Sequence, residues 1–152
     1  MRKVVVIGPE STGKSTLCRQ LADHYKTVWC PEFAREYLLE HGMNYTYEDL
    51  LKIAHGQLQL EDLMISRATN FCFIDTDMFV MKVWCEVVFD KCHTWILNQA
   101  ALRQYDLYLV CDVDLPWTPD GLREYPDIET RRKLFKTYKD IAINSNTIWA
   151  VI

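Results

Sequence analysis

The most constraining feature of the sequence is a glycine-rich segment that directly follows a short apolar run. Residues 4–7 read VVVI, and residues 8–15 read GPESTGKS. The second segment fits the pattern G-x-x-x-x-G-K-[ST], which is typical of a phosphate-binding loop between a strand and a helix. Gly8 and Gly13 allow the backbone amides of such a loop to approach a phosphate closely. The segment therefore predicts an α/β domain that binds a nucleotide.

The residue types of this loop predict separate tasks. We expect Lys14 to reach the β- and γ-phosphates and the Ser15 hydroxyl to ligate Mg²⁺. The positive end of the following helix adds to the attraction for an anion. The alternative is an ordinary glycine-rich turn without a ligand. The predicted nucleotide-binding residues of the loop are Gly8, Glu10, Ser11, Thr12, Gly13, Lys14, Ser15 and Thr16.

Length, charge and cysteine content limit the possible classes of protein. The chain has 152 residues and a net charge of -4, which favours one globular domain and argues against a general binder of nucleic acids. Its apolar runs are shorter than the ~18 residues that span a bilayer, and no leader is expected before the first strand. The six cysteines form no C-x-x-C pair, so we expect buried thiols in a reducing cytoplasm. The oligomeric state cannot be read from these features.

Strands and helices are predicted to alternate along the chain, which favours a parallel sheet with helices on both faces. The predicted strands cover about 3–7, 27–30, 71–74, 107–111 and 147–152. The predicted helices cover about 14–25, 32–41, 47–68, 77–89, 93–104 and 128–142. We therefore predict one α/β domain over 1–152, a three-layer P-loop NTPase fold with a five-stranded parallel sheet and a lid at about 115–127. A further helix normally follows the last strand, and we expect this domain to lack it.

Carboxylates stand where two of the predicted strands end, and ligands of open α/β sheets bind beyond such ends. Asp75 is predicted to hold Mg²⁺, with a helix N-cap as the alternative. Glu32 is the first candidate for a base that accepts a proton from an acceptor hydroxyl, and Asp75 is the second. The alternative for Glu32 is a first-turn glutamate that stabilises the helix dipole. Arg35 either contacts a ligand or forms a surface ion pair.

Two further groups of residues are possible ligand contacts. Arg123 in the predicted lid and Arg131 in the following helix are expected to approach the phosphates, unless they belong to a solvated face. Gly56 interrupts a predicted helix at a cost of about 1 kcal/mol, which indicates a close approach by a neighbouring helix or by a substrate. Gln57 beside it is expected to hydrogen-bond a substrate, with helix packing as the alternative.

These motifs together resemble the ribosylnicotinamide kinase domain of the NadR family, a branch of the P-loop nucleoside kinases related to AAA-type ATPases. The resemblance covers nearly the whole chain. It rests on residues 8–16 (GPESTGKST), 32–37 (EFAREY), 53–57 (IAHGQ), 73–77 (FIDTD), 105–109 (YDLYL), 116–117 (PW) and 120–123 (DGLR). The combination of FIDTD with P-W-x-x-D-G-x-R is far more specific than the phosphate-binding loop alone.

The resemblance implies transfer of the γ-phosphoryl group of ATP, with Mg²⁺, to the 5′-hydroxyl of nicotinamide riboside. Because that substrate carries a cationic planar ring, we expect aromatic and acidic residues to hold it. The expected contacts are Phe33, Tyr47, Trp117, Asp77 and Asp120, with core packing as the alternative for the aromatic ones. Two other functions remain open: a kinase for another nucleoside or small alcohol, and a non-catalytic nucleotide-binding regulator or ATPase.

Overall fold

Strands and helices alternate in a computed structural model that describes residues 1–10, 12–115 and 127–152. The strands are β1 (Arg2–Ile7), β2 (Trp29–Cys30), β3 (Phe71–Asp75), β4 (Leu107–Val110) and β5 (Ile148–Val151). The helices are α1 (Lys14–Tyr25), α2 (Phe33–His41), α3 (Tyr47–Arg67), α4 (Met78–Phe89), α5 (Thr94–Leu102) and α6 (Ile128–Asn144). The predicted elements all form, and their bounds shift by a few residues at most.

The five strands form one parallel sheet, as the alternation of elements predicts, and their order in the sheet is β2-β3-β1-β4-β5. The central strand β1 pairs with β3 on one side and with β4 on the other, so Val5 lies between Ile74 and Tyr108. From β1 the chain builds one half of the sheet through β2 and β3 and then crosses to the other half. Ligands of open α/β sheets bind beyond the carboxyl ends of the strands at such a reversal. The phosphate-binding loop follows β1 at this point.

Helices cover both faces of the sheet. Successive side chains of a strand point to opposite faces, so both faces carry apolar residues that the helices bury. Val4 and Val6 of β1 pack with Cys18 and Ala22 of α1 on one face. Val5 and Ile7 point to the opposite face, where the buried cluster includes Val83 of α4 and Tyr138 and Ala142 of α6. Full burial of an aliphatic side chain of this size contributes about 1.5–3 kcal/mol. The result is the predicted three-layer α/β/α arrangement.

A second core lies among helices α2, α3, α4 and α5. Its fully buried members include Leu50 and Ile53 of α3, Met81 of α4 and Ile96 of α5. Thr46 caps α3 through reciprocal hydrogen bonds with Asp49, which form a capping box. Because α2 packs on this cluster, the cluster fixes the segment that carries Glu32.

The prediction for the second strand is wrong for its first two residues. The Thr27 amide donates to the carbonyl of Ala22 at the end of α1 (2.9 Å), and its hydroxyl donates to the carbonyl of Phe71 (2.6 Å). Thr27 therefore completes a helix end and holds β3 through its side chain, so strand pairing begins only at Trp29. The apolar, β-branched character of the run 27–30 does not reveal this competing use of the backbone.

The six cysteines are free thiols, and five of them are buried, as the sequence predicts. Burial raises the pKa of the Cys72 thiol to about 11 and of the Cys85 thiol to about 12, so both stay protonated at neutral pH.

Within the described parts of the chain, no helix combines the length and the apolar character that a membrane crossing needs.

Candidate functional site

The phosphate-binding loop has a conformation that only glycine allows at its first position. Gly8 has a φ of 151°, and a Cβ there would lie 2.8 Å from the carbonyl oxygen of Cys111. Gly13 has a φ of 81° at the residue that precedes α1. The loop is closed internally, since the Thr12 hydroxyl and the Lys14 ammonium both donate to the carbonyl of Pro9 (2.8 and 2.9 Å). The two glycines therefore have the geometric role that the pattern predicts.

Asp75 joins the loop to the neighbouring strand. It is the last residue of β3, it is fully buried, and its Oδ2 accepts a hydrogen bond from the Ser15 hydroxyl. Burial raises the pKa of Asp75, while Lys14 and the Ser15 hydrogen bond act in the opposite direction. Its other oxygen, Oδ1, has no hydrogen-bond partner among the described residues. A buried carboxylate oxygen without a donor, next to a serine hydroxyl, suits a hard cation.

Thr76 follows Asp75 in a strained conformation that sequence reasoning missed. Its φ is 83°, an outlier for a β-branched residue. The side chain is buried, and Oγ1 has no hydrogen-bond partner in the described part of the chain. Backbone strain of this kind clusters at functional sites. The only sequence signal is the place of Thr76 between two carboxylates at a strand end.

Glu32 lies where β2 passes into α2. It precedes the first helical residue in an extended conformation, and its side chain makes no capping hydrogen bond to the helix. The carboxyl is therefore not used as a hydrogen-bonding helix cap, while the alternative of an interaction with the dipole of α2 stays a prediction. Burial, with a smaller contribution from the neighbouring Asp75 carboxylate, raises the pKa of Glu32 to about 7. A carboxyl with a pKa near neutrality can both accept and release a proton at that pH.

One cleft brings the loop, Glu32 and Arg35 together. Besides the loop, the walls come from α2, from one side of α4 and from α6. The lining residues are Gly8, Pro9, Glu10, Thr12, Gly13, Lys14, Ser15, Thr16, Glu32, Ala34, Arg35, Leu38, Thr76, Val80, Val83, Trp84, Val87, Leu134 and Tyr138. The cleft thus has a polar end, formed by the loop, and an apolar wall that includes Trp84.

Comparison with known proteins gives the family. The sequence profile of a family described as an AAA domain matches residues 3–151. The chain belongs to this AAA domain family. The chain is also 32% identical over 154 residues to the trifunctional NAD biosynthesis/regulator protein NadR of Salmonella typhimurium, covering 97% of this chain and 37% of that protein. The chain therefore spans little more than a third of the length of that relative.

Two solved NadR structures have the same fold as this AAA domain. A NadR protein in complex with NR (nicotinamide riboside) matches with a TM-score of 0.77 and 20% identity, covering 99% of this chain and 45% of the other. A NadR protein in complex with NAD and AMP-PNP matches with a TM-score of 0.68 and 20% identity, covering 97% and 44%. The resemblance to the NadR family, stated above from the motifs, is confirmed.

Two side chains predicted to contact the substrate form hydrogen bonds within the protein instead. Asp77 is fully buried at the start of α4, where its carboxylate accepts hydrogen bonds from the Val80 amide (3.1 Å) and the Tyr108 hydroxyl (2.7 Å). Gln57 is also buried, and its amide group bonds to the backbone of Pro31 and Phe33. Neither side chain lines the cleft. The structure thus gives both residues a role in holding the backbone.

Phe33 and Tyr47, expected to hold a cationic ring, also lie outside the cleft lining. The Phe33 ring packs on Gly56, which explains the glycine in α3 by packing. The Tyr47 ring stacks on His93 at 3.7 Å and lies beneath the Lys91 ammonium, 4.4 Å from its centre. The aromatic side chains that line the cleft, among the described residues, are Trp84 of α4 and Tyr138 of α6. The Nε1 of Trp84 donates to the Tyr45 hydroxyl (2.9 Å). The sequence did not distinguish Trp84 from the other apolar residues of α4.

The remaining predicted contacts stay predictions. Arg131 is buried on α6, and its guanidinium donates to the carbonyl of Leu115 (3.4 Å). Ser11, Trp117, Asp120 and Arg123 lie outside the described residues, as does most of the predicted lid.

Proposed function

We propose that this domain is a kinase that transfers the γ-phosphoryl group of ATP to the 5′-hydroxyl of nicotinamide riboside. The single observation that carries the proposal is the cleft in which a phosphate-binding loop and a carboxyl with a pKa of about 7 line the same space. Phosphoryl transfer needs these two elements in one place, because one binds the donor phosphates and the other receives the proton of the acceptor. The names of the NadR relatives support the choice of substrate.

ATP occupies the end of the cleft formed by residues 8–15 together with Asp75, which we call the phosphate end. The loop amides and Lys14 bind the phosphates, as the glycine geometry and the position of Lys14 allow. Ser15 and Asp75 would hold Mg²⁺, since a hydroxyl and an unpartnered carboxylate oxygen are the ligands available there. The ion, when bound, neutralises charge on the phosphate oxygens. AMP-PNP in a NadR structure supports a nucleoside triphosphate as the donor.

Glu32 acts at the acceptor end, which we define as residues 31–35 at the junction of β2 and α2. In its deprotonated form it orients the 5′-hydroxyl and accepts its proton while the hydroxyl oxygen attacks the γ-phosphorus. A new O–P bond forms, the bond between the γ-phosphorus and the β,γ-bridging oxygen breaks, and the electron pair leaves with ADP. The proton then passes from Glu32 to solvent. Lys14 stabilises charge on the transferred group.

Trp84 is proposed to contact the pyridinium ring of the substrate. It is the aromatic residue of the described cleft wall on α4, and its indole is anchored by the hydrogen bond to Tyr45. A planar cation over an indole face gains about 0.5–2 kcal/mol. This contact favours a cationic nucleoside over neutral ones. The sequence assigned this role to Phe33, Tyr47 and Trp117, and those contacts stay predictions beside that of Trp84.

A panel assay tests the proposal. ADP release is measured with nicotinamide riboside, uridine, adenosine and no acceptor, each over a range of concentrations at saturating Mg²⁺ and ATP. We expect kcat/KM to be highest for nicotinamide riboside. A higher value for uridine or adenosine would make the domain a kinase for another nucleoside. Release at the same rate without any acceptor would make it an ATPase or a regulator.

A further inference from the structure

The backbone on both sides of Glu32 is held by a single side chain. Gln57, on α3 and only 1% exposed, accepts a hydrogen bond from the Phe33 amide through Oε1 (2.9 Å). Its Nε2 donates to the Pro31 carbonyl at 3.3 Å and to the Cys30 sulfur at the same distance. Both ends of one amide group are therefore used by the residues that flank Glu32.

The residue before Gln57 completes this arrangement. A Cβ on Gly56 would lie 2.1 Å from Cε1 of Phe33, so the ring of Phe33 packs on the bare helix backbone at this point. Glycine inside a helix is unfavourable relative to alanine, and here the close approach of Phe33 explains it. Gly56 and Gln57 thus hold Phe33 by a packing contact and by a hydrogen bond.

We propose that Gly56 and Gln57 form a clamp that positions the Glu32 carboxylate for proton transfer, an inference that rests on the proposed function. The Glu32 side chain has no capping bond of its own to the helix. The backbone on either side of Glu32 limits where its carboxyl can lie in the cleft, and Gln57 fixes that backbone at two points. Gln57 acts through Glu32 and does not contact the substrate.

The first test replaces Gln57 by methionine, which keeps the size and removes the hydrogen bonds. The exposed Gln59 on the same helix serves as the control, as Gln59→Met. We expect Gln57→Met to lower kcat by about 10- to 100-fold with an unchanged KM for ATP, because a small displacement of a catalytic group has effects of this size. Gln59→Met should leave kcat unchanged. A raised KM for the nucleoside at unchanged kcat would contradict the clamp, since it would indicate direct substrate contact.

A double-mutant cycle then asks whether Gln57 acts through Glu32. If it does, Gln57→Met in the Glu32→Gln background should lower kcat by less than about twofold, because the base is already absent. The same 10- to 100-fold loss in both backgrounds would overturn the proposal. Gly56→Ala provides a second variant with the Gln57 hydrogen bonds kept. It should also lower kcat while helix content, measured by circular dichroism, is retained, and an unchanged kcat would contradict the packing part of the clamp.

The titration of Glu32 separates this inference from the proposed function. Carbon-13 NMR follows the Glu32 carboxyl across pH in the wild type and in Gln57→Met, and it needs no activity. Loss of the clamp should expose the carboxyl and move its midpoint to lower pH by about one unit. An identical titration in both proteins would overturn the clamp even for an active kinase. If the midpoint of Glu32 differs between the wild type and Gln57→Met but the wild type has no kinase activity, the clamp is retained and the proposed function is rejected.

Discussion

The phosphate end and the acceptor end of the cleft are built in different ways. At the phosphate end the functional side chains contact their own segment or each other: Lys14 bonds to Pro9, and Ser15 bonds to Asp75. At the acceptor end Glu32 makes no capping bond, and a distant helix holds the backbone around it through Gln57. At the phosphate end the functional side chains themselves make these hydrogen bonds, one within the loop and one to Asp75 on β3. At the acceptor end the hydrogen bonds of Gln57 hold the backbone on either side of Glu32, so substitutions of Gln57 on α3 should affect this end more.

The largest expected effect is at the phosphate end. Lys14→Ala should lower kcat by about 10³-fold or more with the fold intact, because a preorganised charge on the transferred phosphoryl group is lost. Steady-state ADP release measures kcat, and circular dichroism checks that the fold is intact. Lys136→Ala, at an exposed position on α6, is the control. A folded Lys14→Ala protein that keeps most of the wild-type turnover would exclude the phosphate-binding role of the loop.

Substitution of Glu32 tests the acceptor end. Glu32→Gln should lower kcat by about 10²- to 10⁴-fold, the usual contribution of a general base, with little change in the KM for ATP. Glu36→Gln, at an exposed position one turn further along α2, is the control. An unchanged kcat in Glu32→Gln would move the role of base to Asp75.

The pH dependence of kcat is a second test of Glu32 as the base. Since burial raises the pKa of Glu32 to about 7, the carboxylate is protonated below that pH and cannot accept a proton. In the wild type kcat should therefore fall as pH decreases through about 7, and this limb should be absent from the residual activity of Glu32→Gln.

Asp75 should respond to metal concentration. Asp75→Asn keeps the size of the side chain but weakens a cation ligand, so the Mg²⁺ concentration for half-maximal activity should rise by about tenfold. A titration of Mg²⁺ at fixed ATP measures it. Asp90→Asn is the control, because Asp90 is exposed at the end of α4 in a left-handed conformation that asparagine tolerates. An unchanged Mg²⁺ requirement in Asp75→Asn would remove Asp75 from the metal site.

The smallest effect is expected at the apolar wall. Trp84→Ala should reduce the preference for nicotinamide riboside over uridine, in kcat/KM, by about 2- to 30-fold, which corresponds to the loss of a cation–π contact. Trp84→Phe should retain part of the preference because it keeps an aromatic face. Equal losses for both nucleosides in Trp84→Ala would indicate a packing role. The sequence also predicts that Trp117 and Phe33 contact the cationic ring. Trp117→Ala and Phe33→Ala are therefore predicted to reduce the same preference, and their effects can be compared with that of Trp84→Ala.

The phosphate end could be predicted from the sequence because its signal is local. The spacing of Gly8, Gly13, Lys14 and Ser15 after an apolar strand specifies the turn, and the turn forms with the expected positive φ at both glycines. Asp75 follows from the same logic, as a carboxylate that ends a buried strand next to β1. The parallel sheet and the three layers follow from the alternation of strands and helices, whereas the strand order comes from the structure alone.

The acceptor end could be predicted only in part. Glu32 and Arg35 were found because they follow a strand, and they do line the cleft. Asp77 and Gln57 stand in equally suggestive places, but their hydrogen-bonding capacity is used by Tyr108 and Val80 and by the backbone around Glu32. Which polar groups remain for a ligand depends on contacts across the fold. The sequence pattern does not contain these contacts.

The most direct test of the account detects the product of the reaction. The purified domain is incubated with Mg²⁺, ATP labelled with oxygen-18 in the γ-phosphoryl group, and nicotinamide riboside, and the products are analysed by mass spectrometry. The account predicts nicotinamide mononucleotide that carries the label on its 5′-phosphate and is formed in equal amount to ADP. When Lys14→Ala or Glu32→Gln replaces the wild type over the same time, its amount should fall by about 100-fold or more. Labelled inorganic phosphate as the only phosphorylated product, at a rate that nicotinamide riboside does not change, would contradict it.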